Sequence, residues 1–193
     1  MCAKVLAIAN QKGGVGKTTT SISLSSALAR MGKRVLVLDL DPHACATLHA
    51  RIYPEGITCS LHDLFLAQED AWPVIWPDLI HVQALPGIDV APGSIRLSEL
   101  EVDFRERQAK GSVLLRSLTH VRDEYDYIIL DCPPHVGILL VNALVAADLL
   151  IIPIQTDFLA LHGLKLLFDT LHTLNKALGR PVRYRAVPTM YDR

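Results

Sequence analysis

Nine consecutive residues, Lys12-Gly13-Gly14-Val15-Gly16-Lys17-Thr18-Thr19-Thr20, combine the groups that hold a phosphate chain. They follow an apolar run, Val5-Leu6-Ala7-Ile8-Ala9, and open a helical pattern from Thr18 to Arg30. The order is strand, glycine-rich turn, helix. Peptide N–H groups of such a turn converge on one point, and the helix N-terminus makes that point more positive. Glycine lets the backbone take positive φ and approach an anion closely. Lys17 can reach β- and γ-phosphates, and the Thr18 hydroxyl can ligate magnesium. Gly13, Gly14, Val15, Gly16, Lys17, Thr18 and Thr19 are therefore the expected contacts for a nucleoside triphosphate. A standard loop of this kind carries glycine where this chain has Gln11, and a second lysine, Lys12, stands directly before the glycines.

Two further stretches end in acids. Leu38-Asp39-Leu40-Asp41-Pro42 places Asp39 and Asp41 where a strand runs out, and ligands of open α/β sheets bind at that edge. Tyr127-Ile128-Ile129-Leu130-Asp131 is an apolar strand feeding an acid, the pattern that holds magnesium through a water. For Asp39 and Asp41 the competing reading is a strand end and a helix cap.

These groups need a scaffold that gathers strand ends. Apolar β-rich runs at 4–10, 34–39, 80–84, 88–91, 126–131, 148–153 and 182–188 alternate with helical patterns near 17–31, 44–50, 60–67, 94–102, 107–123, 138–147 and 162–178. Strands such as Tyr127–Leu130 and Leu149–Ile152 are apolar on both faces, which predicts a mostly parallel, twisted sheet covered by helices on each side. The expected fold is the three-layer α/β fold of P-loop proteins, one domain over 1–193. Gly32 suits a helix C-terminal cap. The stretch 51–79 has no clear pattern; its Trp72 and Trp76 read as packing residues.

The run Gln-Lys-Gly-Gly-Val-Gly-Lys-Thr-Thr resembles the variant P-loop of the ParA/MinD class of ATPases, shared with nitrogenase iron proteins and arsenical-pump ATPases. Asp39-Leu40-Asp41-Pro42 resembles the first switch of that class, and Asp131-Cys132-Pro133-Pro134 its second. Asn142–Asp148, Ile152–Gln155, Leu159–Leu164 and Thr189–Arg193 also resemble ParA-type chains in order and spacing. The likeness is dense at the nucleotide site and thin at 51–110. It implies ATP and magnesium as ligands and ATP hydrolysis, slow without a stimulating partner. It implies that Lys12 crosses a dimer interface to the partner's nucleotide, and that Asp41 positions the attacking water. Asp39 would lie near magnesium or Lys17, so Thr18, Asp39 and Asp131 form the expected metal group. A homodimer formed with ATP, a ParB-like or cargo-adaptor partner, and partition of a plasmid, chromosome or other large cargo complete the implied picture.

The chain departs from that pattern in two places. Where the family usually has Gln after Asp-Pro, His43 stands here, and His162 replaces a frequent Glu. ParA-type chains also normally continue past Thr-Met-Tyr-Asp-Arg, so the usual C-terminal part of the family is expected to be lacking.

Composition narrows the alternatives. The 193 residues are 50% apolar and 20% charged with net charge −1, ordinary for a globular protein and too neutral for strong nucleic-acid binding. No apolar run is long enough to span a bilayer, and no signal peptide precedes the first strand. Four cysteines show no disulfide framework, which fits a reduced, cytoplasmic protein. Cys132 is expected to pack rather than react. His43, Cys45, His49, Cys59 and His62 are spaced less regularly than the ligands of common zinc sites. A local basic excess (Lys165, Lys176, Arg180, Arg183, Arg185 and Arg193 against Asp169 and Asp192) reads as a solvated surface or as the start of a weak, non-specific DNA contact that would place the protein on the nucleoid. A MinD-like ATPase working at a membrane is the alternative; that branch usually ends in a basic amphipathic helix, and the pattern up to Arg193 is instead expected to be strand and loop. A dinucleotide-dependent oxidoreductase is a remote alternative, carried by Asp39 but opposed by the glycine spacing.

Overall fold

The computed structural model describes residues 2–103, 110–156 and 160–190. Among these residues seven strands form one sheet: β1 (Lys4–Ile8), β2 (Val35–Asp39), β3 (His81–Leu85), β4 (Ile88–Ala91), β5 (Tyr127–Asp131), β6 (Leu149–Gln155) and β7 (Tyr184–Thr189). Their order is β3-β4-β2-β5-β1-β6-β7. All neighbours are parallel except β3 and β4, which pair antiparallel across Pro86-Gly87. This is the mostly parallel α/β sheet that the double-sided apolar strands require.

The period of two along the strands feeds two separate cores. Val5, Ala7, Leu36, Leu38, Ile128, Leu130, Leu150 and Ile152 face one side. There they meet α3 (Leu61–Leu66), α4 (Trp72–Leu79), α5 (Leu97–Asp103), α6 (Val113–Ser117), α7 (Ile138–Ala146) and α8 (Ala160–Leu178). Leu6, Ile8, Val35, Val37, Ile88, Val90 and Ile129 face the other side, against α1 (Lys17–Arg30) and α2 (Cys45–His49). Helices on both faces bury the central strands β1, β2 and β5 and leave their ends for chemistry, whereas β3 and β7 at the two edges stay partly exposed.

Gly32, at φ 74, donates its N–H to the Ala29 carbonyl and ends α1 as expected. Two elements differ from expectation. The patternless stretch hides α4, which begins with a proline in its first turn and carries Pro77 inside. Burial decides its conformation: Trp72, Trp76 and Leu79 are buried, and the two indoles donate to the Leu64 and Ser117 carbonyls. The helix expected at 107–123 is broken. Its described part is a short 3-10 turn, then α6, then a second 3-10 turn at Leu118–His120. The Asn142 side chain takes the Leu114 N–H, and the Ser117 and Thr119 hydroxyls donate to the Leu114 and Arg116 carbonyls; such local side-chain bonds compete with a continuous helix. Residues 104–109 lie outside the described residues. No described helix is long and apolar enough to cross a membrane.

Candidate nucleotide site

The C-terminal ends of β1, β5 and β2 meet at one edge. Parallel register sets Ile8 beside Asp131, and Asp39 on the other flank of Asp131. From Ile8 the chain runs into the glycine turn. Asn10, almost fully buried, moors that turn: its side-chain amide donates to the Pro153 carbonyl at 2.7 Å, and its Oδ1 accepts the Lys12 N–H at 3.0 Å. On the far flank the Thr189 hydroxyl, at the end of β7, donates to the Val15 carbonyl at 2.8 Å. The loop is thus hung between the ends of β6 and β7.

Gly16 sits at φ 85 at the head of α1, where any side chain would be strained. A Cβ built on Gly13 or Gly14 would meet nothing within 4 Å. Those two glycines therefore do not make room for packed protein. They border open space at a helix N-terminus, a cradle that suits an anion.

Lys17, only 8% exposed, donates from Nζ to the Lys12 carbonyl at 3.3 Å. Burial holds its pKa below the usual lysine value, while the charges of Asp41 and Asp131 act the other way. A desolvated ammonium gains strongly from an anion placed beside it. Asp131 is fully buried. Its Oδ2 accepts the Thr18 hydroxyl at 2.7 Å and its Oδ1 the Ser21 hydroxyl at 2.8 Å. Burial pushes its pKa up to about 6, against those two hydrogen bonds, with Asp41 adding and Lys17 opposing. Thr18 and Asp131, two of the three residues expected at the metal, are in contact.

Asp39 takes its hydrogen bonds from the chain that follows it. Its Oδ2 accepts both the N–H and the hydroxyl of Thr47 at 2.8 Å, and its Oδ1 accepts the Asp41 N–H at 3.2 Å. The carboxylate is spent on fixing α2 and the Asp41 loop, not on Lys17 or Thr18, because the chain turns back over it directly after β2. Burial pushes its pKa up to about 7, with the charge of Asp131 adding. Asp41 is also nearly buried, and its Oδ1 accepts the His43 N–H at 2.9 Å and bonds His43 Nδ1 at 2.8 Å. Lys12 is half-buried at the start of the turn, and Thr19 is exposed on α1.

Several residues at the site were not singled out from sequence. Ser21 lies one helical turn beyond Thr18 and shares its face, a signal available in the spacing. Thr47 had no such signal. Gly93 was also missed: its N–H donates to the Thr47 hydroxyl at 2.9 Å, and a Cβ there would collide with the Asp39 carbonyl. Glu101 on α5 caps α7, accepting the Ile138 and Leu139 N–H groups at 2.9 and 3.3 Å, and so fixes the far end of the loop that follows Asp131.

The remaining candidates separate from the site. Cys132 is buried, its thiol pKa pushed up by burial, as a packing residue requires. Among the described residues no group of three or more His, Cys, Asp or Glu gathers to hold a metal. Arg180 and Arg183 line a cleft of about 770 Å³ with Lys4, Lys33 and Arg122, at the N-terminal ends of the strands, opposite the glycine turn. Lys165, Lys176 and Arg185 are exposed, and Arg193 lies outside the described residues. The side chain of His162 is likewise not described.

Comparison with known proteins agrees with this geometry. A family model described as AAA domain matches residues 3–183. The chain is 40% identical over 190 residues to the sporulation initiation inhibitor protein Soj of Bacillus subtilis, covering 98% of this chain and 73% of Soj. It is 39% identical over 193 residues to the chromosome partitioning protein ParA of Caulobacter vibrioides, covering 98% of this chain and 70% of that protein. Among solved structures, cobyrinic acid a,c-diamide synthase from Mycobacterium smegmatis, with bound ATP analog and magnesium, superposes with a TM-score of 0.88 at 35% identity, covering 98% of this chain and 76% of that one. Fold, glycine turn and sequence together place the chain in the Soj/ParA family of P-loop ATPases.

Proposed function

We propose that this chain binds ATP with magnesium, pairs with a second copy while ATP is bound, and resets by hydrolysis, so that it positions a plasmid, a chromosome or another large cargo. The observation that carries the reading is the joint geometry of the glycine turn, buried Lys17 and the Thr18–Asp131 contact. An anion cradle, a desolvated cation and a metal-compatible hydroxyl–carboxylate pair stand at one sheet edge.

The tasks of the glycine turn, Lys17, Thr18 and Asp131 follow from their chemistry, and those of Lys12 and Asp41 from the resemblance to the family. The N–H groups from Gly13 to Thr19 cradle phosphate oxygens, and Lys17 neutralises them. Thr18 and Asp131 hold the magnesium, which when bound offsets the charge of the phosphates. Asp131 would act on a bound magnesium by way of Thr18, since Thr18 and Ser21 fix both of its oxygens. Asp41 orients the attacking water. Asp39 supports Asp41 from below through the backbone N–H it accepts. Lys12 reaches the partner copy's nucleotide, lowering the repulsion that two phosphate chains would otherwise bring to the interface. A ParB-like or cargo-bound partner speeds a basal hydrolysis that is slow. The exposed basic residues of α8 and β7 give the ATP dimer weak, salt-sensitive contact with DNA of any sequence.

Isothermal calorimetry with MgATP tests the reading. Lys17→Ala should bind ATP or turn it over at least ~100-fold less well, on the order of 3 kcal/mol. Unchanged binding and turnover in that variant would refute the assignment of this loop.

A further inference from the structure

We propose that His43, which stands where the sequence pattern usually has glutamine, is a positioning residue for the Asp41 carboxylate. The inference rests on the reading that Asp41 orients the attacking water.

Asp41 is nearly buried, whereas the His43 side chain is 73% exposed. Burial therefore gives the ring no reason to be where it is; its contact with Asp41 does. Nδ1 lies 2.8 Å from Asp41 Oδ1, and the His43 backbone N–H donates to the same oxygen at 2.9 Å. An ionised carboxylate only accepts, so Nδ1 must carry the proton and donate. Two donors from one residue thus converge on Oδ1.

A carboxylate with a single donor can still rotate about its last torsion, which is broad for Asp. A second donor on the same oxygen, arriving from the side chain, fixes the plane and leaves Oδ2 for other work. The backbone of Asp41 is held independently, by its N–H to Asp39 Oδ1. Removing the ring therefore removes orientation of the carboxylate while the loop stays anchored. This separates His43 from Asp39, whose loss would disturb α2 through Thr47. The bond needs a donor at the δ position. Asparagine places an amide N–H there with similar reach, whereas glutamine places it one bond further out.

The test is steady-state ATP turnover by the full chain with magnesium for the parent, His43→Ala, His43→Asn, His43→Gln and Asp41→Ala, with thermal melting of each. His43→Ala should lower kcat about tenfold, the worth of a hydrogen bond to a charged group, with KM and melting temperature unchanged. His43→Asn should recover most of that loss, and His43→Gln should not. A parental kcat in His43→Ala together with a collapsed kcat in Asp41→Ala would overturn the inference and leave the proposed function standing. A parental kcat in Asp41→Ala would sink both. Equal defects in His43→Asn and His43→Ala, or a change confined to KM, would also overturn it, since neither fits an oriented carboxylate.

Discussion

β5 and β7 are both strands of one parallel sheet, yet they live in opposite surroundings. Four of the five residues of β5 are buried, and it ends in Asp131, whose two oxygens are both bonded. β7 is exposed along five of its six residues and lies at the sheet edge. On it Tyr184 and Val187 are 47% and 38% exposed, as exposed as Leu166 and Phe168 on α8, and the Phe168 and Tyr184 rings meet edge to face. The difference teaches where the fold invests its order. Packing and polar satisfaction concentrate on the strands that present the phosphate-binding edge. Among the described residues the β7 flank is tied to that edge by the Thr189 hydroxyl, which donates to the Val15 carbonyl. The relatives named above are longer than this chain, which spans 73% of Soj.

The contrast can be broken most forcefully by truncating the same kind of side chain on each strand. Leu130→Ala on β5 removes a fully buried side chain and should cost about 4 kcal/mol by denaturant unfolding. A cost below about 1 kcal/mol would mean the centre of the sheet is less tightly packed than the structure shows. Next in size, Lys17→Ala should lose about 3 kcal/mol of ATP binding or transition-state stabilisation while melting close to the parent in the absence of nucleotide.

A third prediction concerns the charge buried at the ordered edge. The folded pKa of Asp39 is about 7 against an ordinary 3.8, and that of Asp131 about 6. Between the ordinary and the raised values the folded chain holds protons that the unfolded chain has released. For these two groups, stability of the nucleotide-free protein therefore rises as pH falls from about 8 towards 5, and the burden of burying charge is full above pH 7. Asp39→Asn should flatten that rise, by about 2 kcal/mol over the window. Melting curves at stepped pH would show it, and an unaltered slope would mean Asp39 does not titrate there. Smallest of the four, Val187→Ala on β7 should move stability by no more than about 0.5 kcal/mol, since its side chain is already half in water.

What could be read from the sequence follows the same division. The glycine turn, Lys17, Thr18 and Asp131 were legible because each group's signal is contiguous: an apolar strand and the residues directly after it. Asp39 was legible as a strand-end acid but not in its bonding, because its partner Thr47 sits on α2, eight residues on. Gly93 is dictated by the approach of the β4 end to the Asp39 carbonyl, a pairing that appears only once β2 and β4 are adjacent. α4 was hidden by Pro77 inside it, which breaks the local helix signal although its two tryptophans and Leu79 are buried. The strand character of 182–188 was readable from its residues, but its position at the edge is a property of strand order, which no local pattern carries.

The central claim, that this edge is a switch turned by ATP, is tested most directly by light scattering of the full chain on addition of MgATP. Three proteins suffice: the parent, Asp41→Ala and Lys12→Ala. Asp41→Ala should accumulate as a persistent dimer, because the nucleotide is held but its attacking water is not oriented. Lys12→Ala should bind nucleotide yet remain a monomer. Hydrolysis by Asp41→Ala at the parental rate, or identical scattering from both variants, would contradict the account.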